Sequence, residues 1–322
     1  MCSSDLTISK WVDAGAPRGN DKDLPPLPVM TDGWTIGKPD AVFSMVEPFH
    51  IPANGAVEYQ YIRIPVNLPE DKWIQSIEIK PGARAQVHHV IAYSQPHAEA
   101  MRGGPGAILG PNNIGGVTPN KPGMVFPQGV ARLLHGGHDL VLQMHYTTNG
   151  TPADDVTQVG VIYAKEPPAR QAAGGLVLNL RFAIPPNDPS FEVRGAVPLS
   201  QDTALTSLTP HMHVRGKDMT YVAHFPDGHD ETLLRVPKYD FNWQITYELA
   251  EPRLLPKGTR LEVIAHFDNS PNNKFNPAPD RPVYWGDQTW EEMMAPFFGV
   301  VVDVKRDPEK VVTVKGGRVR GA

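Results

Sequence analysis

Cysteine is all but missing: Cys2 is the only one in 322 residues. A single sulfur excludes a disulfide framework, a cysteine-based zinc site, an iron–sulfur cluster and a C-x-x-C-H haem attachment within this chain. Positive charge is also in short supply. Thirty Lys and Arg against 35 Asp and Glu leave a net charge of −5, which is no footprint for nucleic acid. Nor does any stretch approach the ~20 apolar residues of a membrane span. Met1–Lys10 is polar and lacks the apolar core of a secretory leader, so the expectation is either a cytosolic protein or a chain whose natural start lies upstream. What is abundant is proline (34) and glycine (29), a composition that favours many short strands joined by turns over long helices. Twelve histidines are present, several in tight clusters.

Leu6, Ile8, Trp11 and Val12 fall at roughly helical spacing, which predicts a short helix over Asp5–Gly15. Ala16–Met30 (APRGNDKDLPPLPVM) reads as a linker. From Trp34 onward the pattern is that of strands, expected at Glu58–Pro65, Ile74–Lys80, Gln86–Ser94, Asp139–Thr147 and Val156–Ala164. A second series is expected at Leu176–Phe182, Ala204–Arg215, Met219–Phe225, Trp243–Glu248, Thr259–Asp268, Phe297–Val304 and Val311–Val314. A long Gly/Pro/Asn loop separates Gln95 from Gln128, and a linker-like run (KEPPARQAAG) covers Lys165–Gly174. The fold class predicted is all-β, with two antiparallel, jelly-roll-like β-sandwich domains in tandem behind a short helix and linker. The boundaries expected are 1–30 for helix and linker, 31–168 for the first domain and 169–322 for the second.

Four places carry chemistry. In Pro210-His211-Met212-His213, residues i and i+2 of a strand point to one face, so both imidazoles can reach one metal while Met212 turns away. Two exposed polar residues would have the same spacing, but Val214, Tyr221, Val222 and Phe225 nearby make an apolar setting for idle imidazoles. His88-His89 sits within QVHHVIAYS; strand neighbours face opposite ways, so both can ligate one ion only at a strand end or bulge. The bland alternative is one core and one surface histidine. In LQMHY, Leu140, Leu142, Met144 and Tyr146 share one face, and His145 shares the other with Val141 and Gln143. In WGDQTWEEMMAPF two methionines follow two acids. Methionine is usually core filler, yet a thioether is a soft ligand that suits Cu(I).

Taken in order, VHHVI, QMHY, HMHVRGK and WGDQTWEEMM resemble a bacterial branch of the copper type II ascorbate-dependent monooxygenases, the family of peptidylglycine α-hydroxylating and dopamine β-hydroxylating enzymes. The resemblance covers about residues 34–316. It implies two β-sandwich domains, each holding one copper across a solvent-filled cleft. His88, His89 and His145 match the ligands of an electron-donating copper, and His211, His213 and Met293 those of a catalytic copper, with Met294 as the fallback. It further implies hydroxylation of a C–H bond of a small substrate with O2, with electrons from ascorbate or another reductant.

This chain departs from the family in places. It can form none of the disulfides of the animal enzymes. Thr209 and Phe297 stand where the peptide-hydroxylating members hold a substrate carboxylate with an arginine and a tyrosine, so a glycine-extended peptide is not expected. Ile8–Pro17 (ISKWVDAGAP) resembles the end of a class I c-type cytochrome domain, which implies a haem domain fused upstream as a possible electron donor, and an extracytoplasmic location. His266, sharing a face with Glu262 and Asp268, is expected to support a ligand; His135 and His138 are expected at the surface, and His50, His97, His224 and His229 in structural or solvent-facing places. Two other readings compete. One is a copper-binding β-sandwich without catalysis. The other is a cupin-type iron dioxygenase on His211 and His213, for which the expected glutamate is absent from VRGKD.

Overall fold

The computed structural model describes residues 3–24, 33–101, 103, 112–117 and 123–311. The chain divides into two compact units, Met1–Gly33 and Trp34–Ala322. The first begins with the helix Ser3–Asp13. Gly15 ends it in a left-handed conformation (φ 81°), and the amides of Gly15 and Ala16 reach back to the carbonyls of Val12 and Trp11, the closure that a glycine there permits. Ile8, Trp11 and Val12 of its apolar stripe are exposed. Much of the expected linker beyond Leu24 lies outside the described residues. No described helix is long and apolar enough to cross a membrane.

The second unit is all-β and forms two sandwiches. In the first, a four-stranded sheet runs in the order Gln60–Ile64, His138–Tyr146, Val87–Pro96, Asn113–Val117. Its inner face supplies Leu140, Leu142, Met144, Tyr146 and Val90 to a core shared with Ile74, Ile77, Val159 and Val161 of the facing strands Lys72–Lys80 and Gln158–Tyr163. The period-2 pattern of LVLQMHY thus does what it promises. Each such leucine taken fully from water contributes about 1.5–3 kcal/mol, which pins the register and turns Val141, Gln143 and His145 outward.

The second sandwich packs the sheet Phe191–Pro198, Arg260–Phe267, Gly216–His224, Asp230–Val236 against Arg170–Leu176, Phe297–Asp303, Thr203–Thr209 and Tyr247–Leu255. Its core includes Val193, Leu205, Met219, Tyr221, Val263 and Phe298. One sheet from each sandwich joins the other through a short parallel pairing of Val130 and Ala131 with Arg170 and Gln171, giving a single nine-stranded sheet. Val130, Ala204 and Val301 pack at that seam.

Several elements differ from expectation. The supposed linker Lys165–Gly174 becomes strand from Arg170 onward. Its small residues serve close packing: a Cβ on Gly175 would run into the Phe298 ring on the neighbouring strand. The expected strand Leu176–Phe182 is therefore absent, since Leu176 ends this one. The expected strand Trp243–Glu248 is displaced to Tyr247–Leu255. Asp240 takes the preceding residues into a turn, accepting from the amides of Asn242 and Trp243. Pro252 is tolerated there because this is the outermost strand of its sheet. Within the long Gln95–Gln128 loop, Asn113–Val117 and Gly123–Val125 are strands; residues 104–111 and 118–122 lie outside the described residues, as does most of the expected strand Val311–Val314.

Candidate metal centre

The two histidines of VHHVI sit at a β-bulge. Val87 pairs with Tyr146 and His89 with His145, so His88 is the extra residue and the register shifts between them. The bulge turns both imidazoles to one side. The ligand nitrogens of His88, His89 and His145 all lie within 4.8 Å of one another. Nδ1 of His88 is 3.1 Å from Nδ1 of His89, and the His89 and His145 rings are 4.8 Å apart at their centroids. Tyr59 packs against His145 from the side, at 4.8 Å. Burial lowers all three: His145 to about 4 and His89 well below its ordinary value, with neighbouring imidazoles adding to it, and His88 downward with Arg84 contributing. All three rings are therefore neutral near pH 7, the form that binds metal. Nδ1 of His145 is buried with no hydrogen-bond partner among the described residues. An orphaned nitrogen amid converging imidazoles fits a metal ligand, because such a group is costly to leave unsatisfied.

His211 and His213 do not lie in a strand. Thr203–Thr209 ends before them, because Pro210 has no amide to continue the ladder. The segment stays extended, so alternation persists: Met212 is fully buried in the core, and the two rings stand 5.4 Å apart at 89°. Side chains from elsewhere hold it. Nδ1 of His211 donates to Gln244 Oε1 at 2.7 Å, which leaves Nε2 as the lone-pair nitrogen. The Tyr239 hydroxyl accepts from the Met212 amide (3.0 Å) and donates to the Met212 carbonyl (2.6 Å). The fully buried Glu292 carboxylate accepts from the amides of His213 (3.0 Å), Arg215 (2.6 Å) and Met293 (3.2 Å). Burial pushes Glu292 up to about 7 against those bonds. Burial lowers His211 to about 4, and burial with His211 beside it lowers His213 to about 3.

The distant segment carrying the methionines runs alongside: the Ala295 amide donates to the His211 carbonyl at 3.1 Å. Met294 is fully buried in the core, whereas Met293 is half-buried on the wall of a cavity that His211 also lines. That cavity, about 950 Å³, also has His88, His89, Gln143 and Phe297 on its wall. Phe241 stands between the two histidine groups. Its ring stacks on His88 at 5.7 Å and meets His213 edge-on at 6.3 Å.

Of the remaining histidines, His266 does not support a candidate ligand. It bonds Asp218 (2.7 Å) and faces Glu192 (3.6 Å) on the outer side of its sheet, because its strand sends Leu261, Val263, Ala265 and Phe267 inward. His224 is held between Asp230 and Glu262 on that same side. Gln244, Tyr239, Phe241 and Tyr59 were not singled out from the sequence. They carry no local motif, and only the fold brings them to the histidines.

No family model and no curated protein matches the chain. Among solved structures it is similar to the major capsid protein P2 of bacteriophage PM2 (10% identity, 86% of this chain and 99% of that one, TM-score 0.32). It is also similar to the infectious bursal disease virus Gt strain structure (9% identity, 84% and 68%, TM-score 0.24) and to allantoicase from Saccharomyces cerevisiae (8% identity, 77% and 80%, TM-score 0.19). None of these likenesses bears on the chemistry of this chain.

Proposed function

We propose that the chain is a two-copper monooxygenase that hydroxylates a C–H bond of a small substrate bound in the cavity. The observation that carries this reading is the pair of largely buried, neutral imidazole groups from different sandwiches at one cavity, with Met293 on the same wall. His88, His89 and His145 would hold one copper, and His211, His213 and Met293 the other. A three-imidazole set and an imidazole–thioether set differ in softness, and the softer one favours Cu(I). Bound copper supplies one-electron redox chemistry and the activation of O2.

The protein's part is positioning. Gln244 fixes the tautomer of His211, Glu292 and Tyr239 hold the backbone on either side of His213, and Met294 anchors the methionine segment so that Met293 faces the cavity. Phe241 fills the space between the groups and keeps it apolar. Ascorbate, or a c-type haem partner fused upstream, would supply electrons in an extracytoplasmic setting.

Metal analysis and oxygen uptake test this. The full chain loaded with copper should hold two ions and consume O2 with ascorbate. His213→Ala should abolish turnover and remove about half the copper, in keeping with the loss of one ligand from a site of few ligands. Two bound coppers without O2 consumption across donors would instead leave a copper-binding protein. One bound iron and no copper would overturn the assignment.

A further inference from the structure

The same cavity holds an arginine that takes part in no ion pair among the described residues. Arg132 lies on the strand Val130–Leu134, and its side chain lines the cavity with Phe126 and Asn113. Its Nη1 donates to the Asn113 carbonyl at 2.8 Å and lies 3.4 Å from Asn113 Oδ1. One face of the guanidinium lies over the Phe126 ring, 5.6 Å from its centroid. Nε is buried and has no hydrogen-bond partner among the described residues. Nη2 makes no hydrogen bond to a described residue, and none of the described ion pairs includes Arg132. Burial alone pushes its pKa down, to about 10.

A desolvated charge is expensive unless it is paired. Nε is enclosed, so the donor left open to a ligand is Nη2, and a carboxylate placed there makes a charge-assisted hydrogen bond with the guanidinium. The wall carries apolar Val90, Ile91, Met124, Phe297, Phe298 and Val300 but also Arg170, Glu248 and Asp287, and neither carboxylate is in a described ion pair with Arg132. Thr209 carries no charge, and its hydroxyl is hydrogen-bonded to Thr246 at 2.9 Å.

We propose that Arg132 anchors the carboxylate of an apolar carboxylic acid, the substrate class of this cavity, whose hydrocarbon part extends toward His211 and Met293. This rests on the monooxygenase reading for the word substrate, but the binding of the carboxylate does not depend on copper.

The test is calorimetric binding of 4-phenylbutanoate and of its neutral amide to the full chain. The acid should bind the wild type about tenfold or more tightly than the amide, as a charge-assisted contact requires. Arg132→Gln should bind the two alike, and Arg132→Lys, which keeps the charge but loses the fork, should fall between. Thermal melting of the same samples reports whether each variant is folded. Should Arg132→Gln fail to fold, the wild-type preference and the Arg132→Lys value decide. Equal affinity of acid and amide for the wild type, a preference that survives Arg132→Gln, or no binding of the acid at millimolar concentration overturns the proposal. A carboxylate preference without oxygen uptake would sink the oxygenase reading and leave the anchor standing. Uptake without a preference would do the reverse.

Discussion

The two histidine groups are built by different means. His88, His89 and His145 stand on adjacent strands, and the hydrogen-bond ladder that pairs His89 with His145 sets their positions. One bulge is the only special device. His211 and His213 follow the end of a strand, and their segment is held by side chains 27 to 79 residues from the groups they bond: Gln244 at the His211 ring, Tyr239 and Glu292 at the backbone. A ladder is cooperative and tolerates loss of a ring, whereas a segment held by three separate side chains can be loosened one clamp at a time. The second group is thus the easier of the two to disturb without touching a ligand.

Glu292→Ala should show this most strongly. It removes the acceptor of three amides, two of them buried, and the carboxylate beside the buried Arg215. Breaking a buried charged network from one side costs about 3–5 kcal/mol. Denaturant unfolding should show a loss of that size, and copper should fall from two ions to one. Retention of both ions would mean that the His-x-His segment does not need its clamp. Next comes Gln244→Ala, which frees the His211 ring to turn. Loss of such a supporting acceptor weakens metal binding by about 10–100-fold. Competition with a Cu(I) chelator should place that loss on one of the two ions, and Gln244→Glu, which keeps an acceptor, should recover most of it.

The same contrast governs what could be read in the sequence. The all-β class was legible because proline, glycine and period-2 runs such as LVLQMHY obey local rules. The face of His145 followed from that alternation, and a bulge was one of the two conditions, with a strand end, under which His88 and His89 could converge. Met212 turning away from His211 and His213 was legible too, although the strand expected to carry them stops at Thr209. Alternation needs only an extended backbone, not a ladder. What stayed hidden was everything decided by distant packing. Trp243–Glu248 has a strand's composition, but Asp240 folds its approach into a turn, and Gln244 thereby reaches His211. Arg132 carries no local motif and lies on a strand, Val130–Leu134, that the sequence pattern did not predict; only its missing partner distinguishes it, and a missing partner cannot be seen along a chain.

A pH experiment separates the groups on the metal-free protein. Burial and the rings of His88 and His211 hold His145 near 4 in the folded chain, whereas an unfolded histidine titrates near its ordinary 6.5. Between those values the unfolded state binds the extra proton, so folding stability contributed by this residue is present above 6.5 and is lost as pH falls toward 4. His145→Gln removes that one proton difference. Its stability should therefore fall less steeply over this range, by up to about 1.4 kcal/mol per pH unit. Equal slopes for variant and wild type would show that His145 is protonated in the fold.

The smallest effect belongs to Tyr239→Phe. Its hydroxyl joins both the amide and the carbonyl of Met212, between the two candidate ligands. The ring stays in place, so only those hydrogen bonds are lost, and the expected cost is about 1 kcal/mol. Unfolding measures that cost, and the chelator competition shows where it is felt. A weaker second ion with an unchanged first would place Tyr239 among the clamps. Stability lowered with both ions unchanged would mean that Gln244 and Glu292 hold the segment by themselves, and that the tyrosine only braces the core beneath Met212.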